Sequence, residues 1–167
     1  MQNFIKVKIC FLDHYKEIMY LKENSLKGEK GVDYILPTYA TSGSAGMDLR
    51  ALLKEDITLA PQTSIAIPTG ISIELSAGIE ASIRSRSGLA LNHNVIVLNS
   101  PGTIDSDYRG EIKVILMNLG KKGFLISNQD KIAQIVISPY LKAYFEIVSS
   151  LPNTTRGNQG FGSTGIK

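Results

Sequence analysis

Turn signals break the apolar pattern of this chain every few residues, and that spacing restricts the fold class more than any other feature. Ile5, Val7, Ile9 and Phe11 alternate with Lys6, Lys8 and Cys10, the pattern of a half-buried strand. Short β-type runs recur at 47–51, 64–68, 71–75, 79–83, 95–98, 111–117, 124–126, 131–138 and 144–148, with Pro-Thr-Gly and Ser-Ala-Gly turns among them. Roughly ten strands at this spacing predict an all-β sandwich or barrel. Neither a repeat nor a βαβ alternation is visible. Ile18, Met19 and Leu21 fit one face of a short helix inside the mixed, charged segment 14–30. The apolar pattern stops at Ser149. The reading is therefore a β domain over 1–150 and a mobile, glycine-rich tail over 151–167.

A length of 167 residues suits one domain with a real core, and 43% hydrophobic with 20% charged residues is ordinary for a globular protein. A net charge of +3 suits a polyanionic substrate, but no clustered basic face points to nucleic acid. The lone Cys10 leaves no internal disulfide and fits a reducing compartment. No segment has signal-peptide or transmembrane character, so the expectation is a cytoplasmic protein without a membrane partner. The sequon at Asn153 is then chance.

Residues 99–110, Asn-Ser-Pro-Gly-Thr-Ile-Asp-Ser-Asp-Tyr-Arg-Gly, lie between two strand-like runs and read as the tip of a hairpin. The stretch holds a candidate general base, Asp105, a second carboxylate, Asp107, and groups able to read a flat heterocycle, Asn99 and Tyr108. An ordinary Asp/Asn turn has much the same composition. Arg84-Ser-Arg-Ser-Gly88 clusters two guanidiniums with hydroxyls, which fits a polyphosphate cradle or simply an exposed strand end. Asp48, after Ser44-Ala-Gly46, reads alone as a turn or cap residue.

Gly160-Phe-Gly-Ser-Thr-Gly165 spells G-x-G-x-x-G, but too little chain follows it for the helix of a dinucleotide site. Closely spaced glycines with Arg156, Ser163 and Thr164 still suit phosphate oxygens, and Phe161 suits a ring closing over a base. A disordered tail is the bland alternative. With only His14 and His93, a caged transition metal has no support. Any metal would be Mg²⁺ carried mainly by substrate phosphates.

Five blocks in order carry a resemblance: Ala45-Gly-Met-Asp-Leu-Arg-Ala51, Arg86-Ser-Gly-Leu-Ala90, Gly102-Thr-Ile-Asp-Ser-Asp-Tyr-Arg-Gly110, Lys131-Ile-Ala-Gln-Ile135, and Arg156-Gly-Asn-Gln-Gly-Phe-Gly-Ser-Thr-Gly165. From about Leu36 to Gly165 the chain resembles the trimeric dUTPase family. The resemblance implies a jelly-roll-like β-fold with a flexible C-terminal arm and a homotrimer with active sites shared between subunits. It also implies Mg²⁺-dependent hydrolysis of dUTP to dUMP and pyrophosphate, which limits uracil in DNA and supplies dUMP for thymidylate synthesis.

Residue by residue, the resemblance makes Asp105 the group that activates water against the α-phosphorus. Arg86, Ser87 and Gly88 would hold phosphates, with Gln134 nearby. Asn99 and the hairpin backbone, through Gly102, Thr103 and Ile104 to about Lys113, would read uracil and exclude a thymine methyl. Tyr108 would pack under deoxyribose and reject a 2′-hydroxyl. Asp48 would act through a Mg²⁺-bound water at most, with no direct protein ligand to the metal. Arg156, Phe161, Gly162, Ser163 and Thr164 would form an arm over a neighbouring subunit's site.

Three departures from the family pattern stand out. Ser85 replaces the usual Pro, an exchange expected to loosen the cradle's backbone. Asn158 and Gln159 replace the usual residues of the arm, and the 14–33 segment is longer than the usual connection. Two rival readings remain, a dCTP deaminase-type relative, whose hallmark motifs are not apparent, and a nucleotide-bound regulator.

Overall fold

A computed structural model describes the protein at residues 5–13, 18 and 36–160. The strands β1 (Lys8–Phe11), β2 (Thr38–Tyr39), β3 (Met47–Arg50), β4 (Ile57–Leu59), β5 (Ser64–Pro68), β6 (Ile71–Glu74) and β7 (Ile79–Arg84) precede a helix, α1 (Ser87–His93). After it come β8 (Val95–Val97), β9 (Gly102–Ile104), β10 (Lys113–Asn118), β11 (Phe124–Ile126) and β12 (Lys131–Pro139). The largest sheet has the order β2-β3-β12-β7-β9, a second has β5-β10-β8, and β1-β6 and β11-β4 form two-stranded ribbons. Every pairing is antiparallel. This is the all-β, jelly-roll type of fold that the turn spacing predicts.

Period-2 patterning explains why these runs become strands. In β10, Val114, Leu116 and Asn118 are buried while Lys113 is exposed, so one face of the strand enters the core. There Val114 and Leu116 meet Ile67, Ile71, Ile112 and Ile126, all fully buried. Each such side chain contributes about 1.5–3 kcal/mol of burial. Ile18 also reaches the core, whereas Met19, Leu21 and most of the 14–33 segment lie outside the described residues. No helix among the described residues is long and apolar enough to cross a membrane.

The structure departs from the sequence reading in four places. Residues 144–148 do not form the expected strand; Tyr144, Phe145 and Ile147 are 91%, 93% and 98% exposed. Alternation marks a surface suited to pairing but cannot supply a partner, and among the described residues the last backbone hydrogen bond from this part of the chain to the body is Tyr140 N–H to Gly78 O. The helix α1 stands where only a strand end is expected, because Gly88 and its polar neighbours carry little helix propensity. Asn94 ends it in the left-handed conformation, φ 56°, donating to the Ala90 carbonyl. The three-residue β4 is too short to leave a pattern. Finally, β8 and β10 do pair as the hairpin reading requires, but the chain between them crosses to the other sheet and adds β9 beside β7.

Asn118 fastens the end of β10. It is fully buried, and its Nδ2 donates to the carbonyls of Leu59 (3.0 Å) and Lys122 (2.8 Å) while Oδ1 accepts from Gly120 N–H (2.8 Å). Both Nδ2 hydrogens and Oδ1 are engaged, tying β4 and the β10–β11 turn together. Replacing it with Ala strands two carbonyls and an amide. Asn118→Ala should therefore lower unfolding free energy by about 2–4 kcal/mol, read from denaturant midpoints at unchanged m-value.

Candidate active site

The phosphate-cradle residues converge on one face of the large sheet and on the turn that follows β7. In β12, Gln134 stands opposite Asp48 of β3 on one side and Arg84 of β7 on the other. Arg86, the residue before α1, donates from Nε to Asp48 Oδ1 (3.1 Å) and from Nη1 to the Lys131 carbonyl (3.0 Å). Lys131 Nζ lies 2.6 Å from Asp48 Oδ2. Gln134 Nε2 donates to the Ser85 carbonyl at 2.9 Å, and its side chain lies so close over Gly46 that a Cβ there would strike it.

Asp48, Arg84, Arg86, Ser87, Gly88 and Gln134 line one open cleft of about 440 Å³. The amides of Ser87 and Gly88 open the first turn of α1, where helix geometry provides no internal acceptor. Guanidiniums, hydroxyl and amides together offer many donors against one carboxylate.

Ser85 is well anchored despite replacing the family's usual Pro. Its Oγ accepts from Val97 N–H at 2.9 Å, its carbonyl accepts from Gln134, and its N–H approaches Ser100 Oγ at 3.4 Å. The hydroxyl thus provides a tie that a Pro side chain lacks, and the cradle backbone is held from both sheets.

The second group of candidates lies around β9 and β10. Asp105, Ser106, Asp107 and Tyr108 form a β-turn closed by Tyr108 N–H to Asp105 O at 3.2 Å. Arg109 Nη1 donates to the carbonyls of Ser106 (2.8 Å) and Tyr108 (2.9 Å) and stiffens it. The Tyr108 ring folds over Gly110, where any Cβ would collide, and its hydroxyl donates to the Glu111 carbonyl at 3.0 Å.

Asp105, Tyr108, Thr103, Ile104 and Lys113 share an open cleft of about 510 Å³ with Glu111, Ala66 and Ile115. Asp107 is exposed but does not line this cleft. Asn99 lines neither cleft and packs over Gly102, whose missing side chain leaves room for the Asn99 amide.

No residue lines both clefts, so the described chain brings the candidates together as two separate half-sites. The described part of the arm, residues 151–160, lines neither. Arg156 is exposed and donates to its own Gln159 carbonyl at 2.9 Å, within a turn closed by Gln159 N–H. Phe161, Gly162, Ser163 and Thr164 lie outside the described residues.

Sequence reasoning passed over two polar residues. Lys131 opens the fourth block, but its pairing with Asp48 depends on sheet register. Glu111 accepts from Gly70 N–H (2.9 Å) and faces Lys113 Nζ at 3.6 Å; the Glu-Ile-Lys alternation is the one local sign that the two share a face.

Among the described residues no three His, Cys, Asp or Glu cluster as a metal site. Both Asp48 oxygens are already engaged by cations. This donor chemistry fits a cation held by bound phosphates and water rather than by a protein cage.

A dUTPase family model matches residues 33–165. The deoxyuridine 5'-triphosphate nucleotidohydrolase of Treponema denticola is 58% identical over 132 residues, covering 79% of this chain and 92% of that protein. A dUTPase of Staphylococcus bacteriophage 80alpha, solved with dUPNHPP, superposes with a TM-score of 0.74 at 20% identity, over 98% of this chain and 100% of the other. Another, from phage phi11 of S. aureus and solved with a structural Mg(II) ion, gives 0.69 at 18% identity, over 89% and 100%. The family-model match over most of the chain and this identity to the Treponema protein settle the lineage: the chain belongs to the dUTPase family.

Proposed function

We propose that this dUTP diphosphatase cleaves its substrate by water attack on the α-phosphorus, at sites built from more than one copy of the chain. The carrying observation is the division of the candidates into two half-sites. One has a carboxylate and an aromatic ring but lacks the cradle. The other has the cradle but no carboxylate free of cations. Juxtaposed between copies of a homotrimer, they supply positioning, charge neutralisation and a base, the parts phosphate hydrolysis requires.

Asp105 accepts the proton as water attacks, and dUMP and pyrophosphate leave. Arg86, Ser87 and Gly88 hold the phosphates, while Gln134 orders the cradle through Ser85. Asn99, Gly102, Thr103, Ile104 and Lys113 shape the uracil side, and the Tyr108 ring packs under deoxyribose. A bound Mg²⁺ would be carried by substrate phosphates and water, with Asp48 acting on it through a bound water at most, and would supply neutralisation of phosphate charge. Arg156, Phe161, Gly162, Ser163 and Thr164 close over another subunit's site. Residues 1–150 act as the body, 151–167 as the arm, and the single exposed Cys10 suits a cytoplasmic setting. The product dUMP feeds thymidylate synthesis, and removal of dUTP keeps uracil out of DNA.

Pyrophosphate release across the dNTPs and UTP tests the whole reading; ammonia release from dCTP would instead indicate a deaminase. Asp105→Asn should keep nucleotide affinity and slow turnover about 10²–10⁴-fold, and near-normal kcat would reject Asp105 as base. Tyr108→Ala should raise activity on UTP proportionally more than on dTTP, because methyl rejection rests on the backbone. Equal relaxation towards both would refute that division of labour.

Mixing tests the shared site. Asp105→Asn and a chain ending at Thr155 should each be nearly inactive. When they are unfolded and refolded together in equal amounts, about a quarter of sites draw Asp105 from a truncated chain and the arm from an Asp105→Asn chain. Recovery near a quarter of wild-type activity is expected, and none after verified mixing would refute inter-subunit assembly.

A further inference from the structure

Among the described residues Asp48 is the lone acidic residue lining the cradle cleft, and it faces two cations, Arg86 Nε at 3.1 Å and Lys131 Nζ at 2.6 Å. Its side chain is only 15% exposed, so its charge is weakly screened by water. Paired with Arg86 alone, it would cancel the charge that the guanidinium offers to phosphate. Lys131 approaches from the far side. It lines the adjoining cleft with Arg50, Gln129 and Asp130 and does not line the cradle. With the ammonium present, Asp48, Arg86 and Lys131 together keep one net positive charge; without it they keep none.

The backbone is shaped to bring this about. The pairing of β12 with β3 shifts between Lys131 and Ala133, and both Ile132 and Ala133 are buried in the core. Two successive core residues let Lys131 and Gln134, three positions apart, share the face that carries Asp48. Lys131 also holds Arg86 through its own carbonyl, a tie that survives any change of its side chain.

We propose that Lys131 is a positioning residue for dUTP hydrolysis. Its ammonium neutralises Asp48, so that Asp48 holds Arg86 in place while Arg86 keeps its positive charge for the substrate phosphates. This rests on the dUTP-hydrolase reading above and assigns Lys131 no contact with substrate.

The test is a double-mutant cycle with Lys131→Met and Asp48→Asn, beside Lys131→Arg. Affinity for the non-hydrolysable analogue dUPNHPP is measured by calorimetry, and KM and kcat by pyrophosphate release. Lys131→Met should weaken binding and raise KM about tenfold with kcat changed less than about threefold, and the loss should shrink at high salt. Lys131→Arg should restore affinity, which a purely packing role for the lysine stem would not predict. In the Asp48→Asn background, where there is no carboxylate to neutralise, Lys131→Met should change affinity less than about twofold. An equal loss in both backgrounds, or no loss in the wild-type background, overturns the proposal. If the unmodified protein releases no pyrophosphate from dUTP, the functional reading fails instead.

Discussion

The register of β12 against β3 and β7 is the constraint on which the cradle depends. Gln134, Asp48 and Arg84 come from three strands distant in sequence, and they share one row because β12 is paired on both sides. Slipping that pairing by one residue would turn Gln134 inward and bring Ala133 or Ile135 to the surface. Ile132, Ala133 and Ile135 are each about fully buried, so hydrophobic burial fixes the register and thereby the polar row. The site is precise because its supporting residues are apolar. Ser85 extends the same logic beyond the strand, since its three hydrogen bonds transmit the register to Arg86 and α1.

The hairpin half is braced differently. Gly70, with φ 72°, turns its N–H to the Glu111 carboxylate, and Thr69 Oγ1 donates to the Ile112 carbonyl. The β5–β6 turn therefore grips the start of β10, close to Tyr108 and Asp105. Leu12 N–H donates to the Gly70 carbonyl, which links the N-terminal strand to the same brace. Nothing in Gly70 or Leu12 marks them as neighbours of the Asp105–Tyr108 turn in the sequence. Their contribution exists only after β1 pairs with β6 and β5 with β10.

What could be read in advance follows from how far each signal travels. The strands at 64–68, 71–75 and 79–83 were legible because alternation and flanking turns are local, and the structure places β5, β6 and β7 there. The five blocks were legible because motif spacing is local as well. Lys131 was hidden because its meaning lies in a β-irregularity and in a carboxylate more than eighty residues away. The helix α1 was hidden because tertiary context overrides weak propensity at Ser87-Gly88. Residues 144–148 misled in the opposite direction, since their local pattern is that of a strand while no described strand lies beside them.

Those exposed residues bear on the assembly. Leu141 and Ile147 are each 98% exposed and Phe145 is 93% exposed, on the segment that follows the Tyr140 N–H to Gly78 O hydrogen bond. Several large apolar side chains on one extended segment form the kind of surface that folded chains bury against something else. The segment also lies between a body that carries both clefts and the Arg156 end of the arm. With these side chains covered by a second copy of the chain, the ordering entropy of residues 141–147 would be offset by the burial of their apolar surface.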